Sequence, residues 1–341
     1  MAEKLAYSSK QLSNPTRHEG INLLVSEWPE LVPLDLTTEP QTVWDALRVG
    51  FSIPDVSTRE TRQLEQAMAR HPRLVVDTLK QAEPFIYYIV QECQRRGLPT
   101  ELALLPFVES KFNPFADSGA SASGLWQFIP STGRHFELNQ NRWVDERRDL
   151  IESTRAALDY LTYLYDMHGD WHLALMSYNW GEGSIKKAVE KAELQGKEPT
   201  LAHLDLPYET RVYLPKLQAF KNLLLNPKRF KLQLPNIANE PFFVGIRPTQ
   251  DVDLREIARL AKIDLGHLRV LNSGLKKPVY YAAQQRPLLI PMRYQERIKT
   301  ALTVYQPSKP YKTYKVRAGD TLSQIAQKLM CRCATCNRPT A

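Results

Sequence analysis

The stretch that decides the fold is Glu101-Leu-Ala-Leu-Leu-Pro-Phe-Val-Glu109-Ser110-Lys-Phe-Asn-Pro114. Its apolar residues predict a buried helix that begins after Thr100 and ends near Ser110, because Pro114 disfavours helical backbone just before it. Glu109 then lies at the helix C-terminus, where the dipole is negative and water is scarce. Both conditions favour a protonated carboxyl, which a general acid requires. On position alone, an ordinary surface glutamate is the alternative.

Two further stretches carry side chains suited to sugars. In Asp117-Ser-Gly-Ala-Ser-Ala-Ser-Gly-Leu-Trp-Gln-Phe128, small residues allow close backbone approach, while the tryptophan and glutamine offer a stacking face and an amide. In Ser177-Tyr-Asn-Trp-Gly-Glu-Gly-Ser184, a helix ends at Asn179, two glycines form a turn and Ser184 caps the next helix. Taken separately, each stretch also fits a tight loop with a buried tryptophan or a common helix-turn-helix corner.

In this order and at this spacing, the three motifs resemble the soluble lytic transglycosylase (SLT) domain, the goose-lysozyme-like family 23 of glycoside hydrolases. The resemblance covers roughly residues 85–225. Flanking segments at residues 145–149, 153–157 and 209–215 look like the transglycosylase D branch of membrane-bound lytic murein transglycosylases. Trp126 departs slightly from the family, many of whose members have Met there, and keeps an apolar wall.

The resemblance implies a mainly α, lysozyme-like catalytic domain that cleaves the β-1,4 bond between N-acetylmuramic acid and N-acetylglucosamine in peptidoglycan. Glu109 would be the catalytic residue. It would protonate the leaving oxygen and then accept the proton of the muramic acid C6 hydroxyl, which attacks to leave a 1,6-anhydromuramic end. The implied substrate-binding residues are Ser110, Gly124, Leu125, Trp126, Gln127, Phe128, Tyr178 and Asn179. This reaction requires no metal and no cofactor.

Two other functions stay open at this point. A non-catalytic peptidoglycan-binding protein would use the same scaffold as a tether, although Glu109 together with all three motifs argues against it. A hydrolytic muramidase would need a positioned water and usually a second acid, and the motifs offer only Glu182, which lies in the turn. The mass of the product separates these functions, since an anhydro end is one water lighter than a hydrolysed end.

The charge of the chain changes after about residue 226. Residues 1–226 carry 24 basic and 30 acidic side chains, whereas residues 227–341 carry 21 basic and 7 acidic ones. We therefore expect the C-terminal third to meet any anionic partner, such as a cell wall. It contains no recognisable nucleic-acid-binding motif. A chain without residues 227–341 is expected to cut soluble glycan fragments but to hold whole cell walls less tightly.

The C-terminal third also predicts a small β-α-α-β unit. Its elements are predicted at residues 242–246, 254–261, 265–271 and 288–290. This order resembles a degenerate LysM module, and residues 314–326 resemble the opening of a second LysM repeat that lacks its second helix and closing strand. The predicted segments are an N-terminal extension at 1–58, the SLT catalytic domain at 59–232, a degenerate LysM-like module at 233–300, and an incomplete LysM repeat with an irregular tail at 301–341.

The expected partners are peptidoglycan glycan strands, with no nucleic acid, and with the membrane only through an anchor that this chain does not contain. The expected location is the periplasm and cell envelope, since relatives in this branch are associated with the outer membrane. The N-terminus has no apolar stretch of the about 7–15 residues that an export signal needs, so we expect the native gene to encode extra N-terminal residues. No metal site is expected at Cys331, Cys333 and Cys336, because they supply only three thiols.

Overall fold

The computed structural model describes residues 40–119, 121–306, 314 and 316–328. They form two compact units, each built from two segments of the chain. The first unit comprises the described residues of 40–108 and 161–240, and the second comprises those of 109–160 and 241–328. Each unit therefore contains part of the predicted catalytic domain, and the four predicted segments stay a prediction. The three clustered cysteines near the C-terminus lie outside the described residues.

The first unit is helical, and the prediction of a mainly α fold is confirmed. Its helices are Val43–Val49, Arg59–Arg70, Pro72–Gln81, Ile86–Arg95, Trp171–Trp180, Glu182–Leu194, Tyr208–Arg211 and Tyr213–Leu225, with 3-10 helices at Thr100–Leu104 and Pro227–Phe230. Two more helices, Leu105–Glu109 and Leu150–His168, continue from one unit into the other along the chain. Among the described residues, no helix has both the length and the apolar composition of a membrane span.

The helix Val43–Val49 shows how local sequence and packing act together. Thr42 and Asp45 form a capping box: the Asp45 N–H donates to Thr42 Oγ1 over 3.3 Å, and the Thr42 N–H donates to Asp45 Oδ2 over 3.1 Å. The indole of Trp44 is buried and donates to the Pro235 carbonyl over 2.7 Å. The described end of the predicted N-terminal extension is thus a short helix packed into the first unit.

Buried polar groups of the first unit have clear partners. Glu101, 1% exposed, accepts the backbone N–H groups of Ser52 and Ile53 over 3.0 and 2.9 Å, and it lies 3.1 Å from the Lys221 ammonium. An unpaired buried carboxylate is costly, so Glu101 needs these partners. Its two backbone hydrogen bonds thereby hold Ser52 and Ile53 in place. Cys93 is buried in the helix Ile86–Arg95, and burial raises the pKa of its thiol to about 12, which makes it unreactive.

The second unit combines a loop-rich segment with a small module of strands and helices. Residues 109–160 contain the helix Pro130–His135 and the beginning of the helix Leu150–His168. We call residues 241–306 the βααβ module. Its strands are Phe243–Ile246, Val252–Asp253, Val279–Tyr280 and Leu288–Pro291, its helices are Leu254–Ala261, Leu265–Leu271 and Gln295–Val304, and 3-10 helices lie at Ala282–Gln284 and Met292–Tyr294. The helix Leu322–Lys328 follows later in the chain.

The strands of the βααβ module form two antiparallel pairs. The first strand pairs with the fourth, with Val244 opposite Ile290, and the second pairs with the third. The helices cover these strands and share a buried core that includes Ile257, Leu268 and Ile298. The four predicted elements occur in the predicted order, and the two central helices have the predicted bounds. The sequence did not predict the strands Val252–Asp253 and Val279–Tyr280 or the helix Gln295–Val304. The likeness of this module to LysM stays a prediction.

Candidate active site

Glu109 is the last residue of the helix Leu105–Glu109, as the sequence predicts. This helix follows directly on the 3-10 helix Thr100–Leu104, so the whole apolar run is helical. Leu105 and Phe107 are buried, whereas Glu109 is half-buried. Glu109 is therefore a half-buried carboxyl group at the C-terminal end of a buried helix.

The chain reverses directly after the Glu109 helix through two left-handed residues. Lys111 and Phe112 have φ angles of 53° and 57°. A residue with a side chain in this conformation costs roughly 1–2 kcal/mol. Phe112 is buried, and the Asn113 N–H closes the turn by donating to the Ser110 carbonyl over 3.0 Å. Such strained backbone, held by its surroundings, is typical of functional sites. The turn ends the helix at Glu109, which is earlier than Pro114 alone requires.

The second motif forms a compact loop, residues 116–128, which we call the 116–128 loop. Gly124 has a φ angle of 84°, and its N–H donates to the Ala116 carbonyl over 2.9 Å. A Cβ atom at Gly124 would lie 2.1 Å from the Arg147 carbonyl oxygen, so only glycine fits. The expectation that small residues here allow close backbone approach is confirmed at this position.

Two predicted substrate-binding residues also hold this loop in place. The Ser110 hydroxyl donates to the Leu125 carbonyl over 2.9 Å and so joins the Glu109 helix to the loop. Gln127 is half-buried with a left-handed φ of 50°, and its amide nitrogen donates to two loop carbonyls, that of Gly124 over 2.9 Å and that of Ala116 over 3.2 Å. The structure therefore brings Glu109, Ser110 and the loop together in one unit.

The apolar side chains of the 116–128 loop point into the core. Leu125 and Phe128 are buried, and Trp126 is 0% exposed with its indole N–H donating to Thr154 Oγ1 over 3.1 Å. The structure thus corrects the expected stacking face at Trp126. An indole without exposed surface supports the loop from the core instead of stacking on a sugar ring.

Arg147 fixes the loop from a neighbouring segment. Its guanidinium forms a bidentate ion pair with Asp145, in which Nε donates to Oδ1 over 2.9 Å and Nη2 donates to Oδ2 over 2.7 Å. Its Nη1 donates to the carbonyls of Ser121 and Phe128 over 2.6 and 3.2 Å. Both Arg147 and Asp145 are buried. A buried, paired guanidinium of this kind holds its acceptors in one geometry.

Arg148 adds a second ion pair to the loop. Its Nη2 donates to both carboxylate oxygens of Asp117 over 2.7 and 2.5 Å, and its Nε donates to Ser123 Oγ over 2.7 Å. Burial works to raise the pKa of Asp117, but the hydrogen bonds from Ser123 and Arg148 and the charge of Arg148 outweigh it and lower that pKa. The two arginines were not predicted as part of the site, although two adjacent arginines inside an acidic pentapeptide were a usable signal.

The third motif lies in the first unit. Tyr178 and Asn179 are half-buried near the end of the helix Trp171–Trp180. Asn179 Oδ1 accepts the Thr210 hydroxyl over 2.8 Å, which orients the Asn179 amide. The neighbouring Ser177 is buried in the same helix. We call residues 177–182, with the side chains that contact them, the helix cluster.

The turn of the helix cluster differs slightly from its prediction. The helix ends at Trp180, Gly181 alone makes the turn with a φ of 92°, and the next helix begins at Glu182. Ser184 therefore lies inside that helix and is not its cap. One glycine is enough because its positive φ already reverses the backbone.

A histidine contacts the helix cluster from the preceding helix. His168 Nε2 lies 2.9 Å from Ser177 Oγ. Burial lowers the pKa of His168, and the nearby charges of Asp170 and Glu182 act in the opposite direction. His168 therefore favours its neutral form, which suits a buried contact with a hydroxyl.

Two carboxylates beside the 116–128 loop form ion pairs with the arginines described above. Asp117 pairs with Arg148, and Asp145 pairs with Arg147. Across residues 40–119, 121–306, 314 and 316–328, no group of three or more His, Cys, Asp or Glu side chains is arranged to hold a metal ion. The second unit thus brings together the half-buried carboxyl group of Glu109, the Ser110 hydroxyl and a polar loop held by two arginines, and a carboxyl group can donate and accept a proton.

The chain is similar to proteins of one known family. Residues 86–200 match the family described as "Transglycosylase SLT domain". The chain is 35% identical over 300 residues to membrane-bound lytic murein transglycosylase D of Escherichia coli strain K12, and equally to that of Escherichia coli O6:H1. These matches cover 84% of this chain but 66% of each relative, just under two thirds of its length. A putative tributyltin chloride resistance protein of Alteromonas sp. strain M-1 is 38% identical over 161 residues, 47% of this chain and 76% of that protein.

Proposed function

Because this chain belongs to the transglycosylase SLT domain family, we propose that it is a peptidoglycan lytic transglycosylase. It cleaves the β-1,4 bond between N-acetylmuramic acid and N-acetylglucosamine and leaves a 1,6-anhydromuramic end. The observation that carries the proposal is the position of Glu109, half-buried at the end of a buried helix and followed by a strained turn. The relatives named as murein transglycosylases support the choice of substrate.

The proposed reaction uses one carboxyl group twice. Glu109 first donates its proton to the glycosidic oxygen, and the bond from that oxygen to C1 of the muramic acid breaks. The C6 hydroxyl of the same muramic acid then bonds to C1, and its proton returns to Glu109. Protons and electrons balance without water, and the glutamic acid is ready for another cycle.

The ion pairs of two carboxylates beside the 116–128 loop support this single-acid reaction. Glycosidases that use water pair two carboxyl groups, about 5–5.5 Å apart in retaining enzymes and about 6.5–9.5 Å apart in inverting ones. In the second unit, Asp117 and Asp145 follow Glu109 in the chain, and each is held by an arginine. Carboxylates that are fixed by guanidinium groups are poor candidates for a nucleophile or a general base.

The residues proposed for substrate binding fall into two groups, those that contact the sugar and those that support the loop. Ser110, Gln127, Tyr178 and Asn179 supply polar groups for the acetamido substituents and the oxocarbenium-like centre. Gly124, Leu125, Trp126 and Phe128 shape the backbone of the loop that presents them. No metal or cofactor is required in this proposal.

The proposed place of action is the periplasm and the cell envelope, because the glycan strands of peptidoglycan lie outside the cytoplasmic membrane. The two Escherichia coli relatives are named as membrane-bound, which supports an envelope location.

Digestion of isolated peptidoglycan by the purified chain tests the proposal. The products are separated and weighed by mass spectrometry. We expect muramic ends that are one water lighter than hydrolysed ends, and no such ends from the Glu109→Gln variant. Hydrolysed ends alone would assign a muramidase, and intact glycan from a folded wild-type chain would leave only a binding protein.

A further inference from the structure

The βααβ module is joined by backbone hydrogen bonds to a segment of the predicted catalytic domain, and both belong to the second unit. The Asp145 N–H donates to the Gly274 carbonyl over 2.8 Å, and the Lys276 N–H donates to the Trp143 carbonyl over 2.9 Å. The residues between these bonds form an antiparallel bridge. The module thus extends the backbone pairing of residues 143–145.

One arginine of the module contacts two carboxylates of the same segment. Arg286 Nη2 donates to Glu146 Oε1, and its Nη1 lies 3.5 Å from Asp149 Oδ2. Glu146 is 2% exposed and also accepts both the backbone and the side-chain N–H of Asn139, over 2.7 and 2.8 Å. Asp149 accepts the N–H of Glu152 over 3.0 Å at the start of a helix. Arg286 is therefore the positive partner of a buried carboxylate.

The charges of residues 145–149 explain why this partner is needed. The segment contains three carboxylates and two guanidinium groups. One arginine pairs inside the segment and the other pairs with the 116–128 loop. The two remaining carboxylates, Glu146 and Asp149, form ion pairs with the Arg286 guanidinium. Burial raises the pKa of Asp149, and the charge of Arg286 opposes that change.

The same short segment contacts the 116–128 loop on its other side. Arg147 and Arg148 donate to loop carbonyls, to Ser123 and to Asp117, as described above. The Ser273 hydroxyl of the module donates to the Arg148 carbonyl over 2.6 Å. The segment therefore connects the module to the loop that is bonded to Ser110, next to Glu109.

We propose that Arg286 is a positioning residue for the candidate active site: by pairing with Glu146 and Asp149, it holds residues 145–149 in the geometry that fixes the 116–128 loop. This inference rests on the proposed function for its catalytic consequence. It makes the βααβ module part of the catalytic structure. Removal of residues 227–341 is then expected to disable cleavage of soluble glycan, contrary to the expectation that the sequence gives for this truncation.

The Arg286→Met variant tests the proposal with two readouts on the full chain. The first is kcat on soluble glycan fragments, which we expect to fall by about tenfold to a hundredfold with a smaller change in KM, because small displacements of positioned groups are costly. The second is amide hydrogen exchange of residues 121–128 without substrate, which we expect to become faster. Arg286→Lys should recover part of both, since its ammonium keeps the charge but cannot contact both carboxylates equally well.

A matched control removes an exposed arginine from the same module. Arg247→Met makes the same change in charge and should leave kcat and loop exchange as in the wild type. Wild-type exchange and kcat in a folded Arg286→Met variant would overturn the proposal. If Arg286→Met does not fold, amide hydrogen exchange of residues 121–128 is measured in Arg286→Lys instead, and wild-type exchange there would likewise overturn the proposal. Because exchange needs no substrate, it tests the positioning role even if the wild type forms no anhydro ends.

Discussion

The two groups of candidate residues are held in place by different means. The 116–128 loop has little regular structure, and it is fixed by a buried arginine, an ion pair and a glycine in close backbone contact. The helix cluster lies on regular helices joined by one glycine, and it contains neutral side-chain contacts such as that between Asn179 and Thr210. A loop depends on distant partners for its shape, whereas a helix depends mainly on its own backbone.

This difference assigns separate tasks to the two regions. In the proposed reaction, the loop and Glu109 need a defined geometry, because proton transfer requires exact placement of a single carboxyl group. The helix cluster presents Tyr178 and Asn179 from a rigid element, so few additional contacts are necessary. We therefore expect changes around the loop to cost more, in activity or in stability, than equivalent changes in the helix cluster.

The largest difference should appear between two glutamates. Glu109→Gln should remove nearly all cleavage and leave the fold intact, because it deletes the proposed proton donor and general acid–base catalysis contributes roughly 10²–10⁴-fold. Glu182→Gln in the helix cluster should retain most activity, since the reaction needs no second carboxylate. Rates of release of soluble fragments from peptidoglycan provide the measurement. Activity of Glu109→Gln above about a tenth of the wild type would place the acid elsewhere.

The second difference concerns polar partners. Arg147→Met leaves the buried Asp145 unpaired and should lower the free energy of unfolding by about 3–5 kcal/mol. Thr210→Val removes one neutral hydrogen bond to Asn179 and should lower it by about 0.5–1.5 kcal/mol. Equilibrium unfolding in urea measures both. The double variant Asp145→Leu/Arg147→Met should recover part of the loss, and equal losses in the two single variants would contradict the comparison.

The third difference uses two glycines with positive φ. Gly181→Ala has open space around the new methyl group and should cost only backbone strain, roughly 1–3 kcal/mol. Gly124→Ala has similar strain and in addition drives a methyl group against the Arg147 carbonyl, so its loss of unfolding free energy should be larger. Urea unfolding of the two variants checks the order. A smaller loss for Gly124→Ala would show that the loop can shift away from Arg147.

The smallest difference between the two regions is the pH below which each begins to lose stability. A pKa lowered by folding means that the unfolded chain binds more protons, so stability is lost as the pH falls. For His168 in the helix cluster this loss begins below pH 6.5, and for Asp117 in the loop it begins below pH 3.8. Melting temperatures of His168→Gln and Asp117→Asn, compared with the wild type at each pH, should separate the two ranges. Identical pH profiles for both variants would contradict this assignment.

The sequence predicts those features that depend on nearby residues. The apolar run before Glu109 was enough to locate the helix end, and the two helices of the βααβ module were predicted with the bounds that the structure has. The small residue at Gly124 indicated a close approach of the backbone. Each of these features follows from the spacing of apolar residues or from the conformational freedom of one residue type.

The features that were not predicted depend on residues far apart in the chain. Arg148 contacts Asp117 across 31 positions, and Arg286 contacts Glu146 across 140. Charge in a sequence does not say which carboxylate each arginine will meet. Trp126 shows a related limit, since an aromatic residue next to a glutamine fits both a sugar-binding surface and a core, and only the packing decides between them.

The central claim is that Glu109 completes the reaction without water, and digestion in water enriched with the heavy oxygen isotope tests it most directly. Every muramic end that this chain generates should be an anhydro end that carries no heavy oxygen, because the C6 oxygen of the sugar forms the new bond. Mass spectrometry of the ends, with Glu109→Gln as the blank, gives the fraction of new muramic ends that carry heavy oxygen. New ends that carry one heavy oxygen would show that water is the nucleophile and would contradict the account.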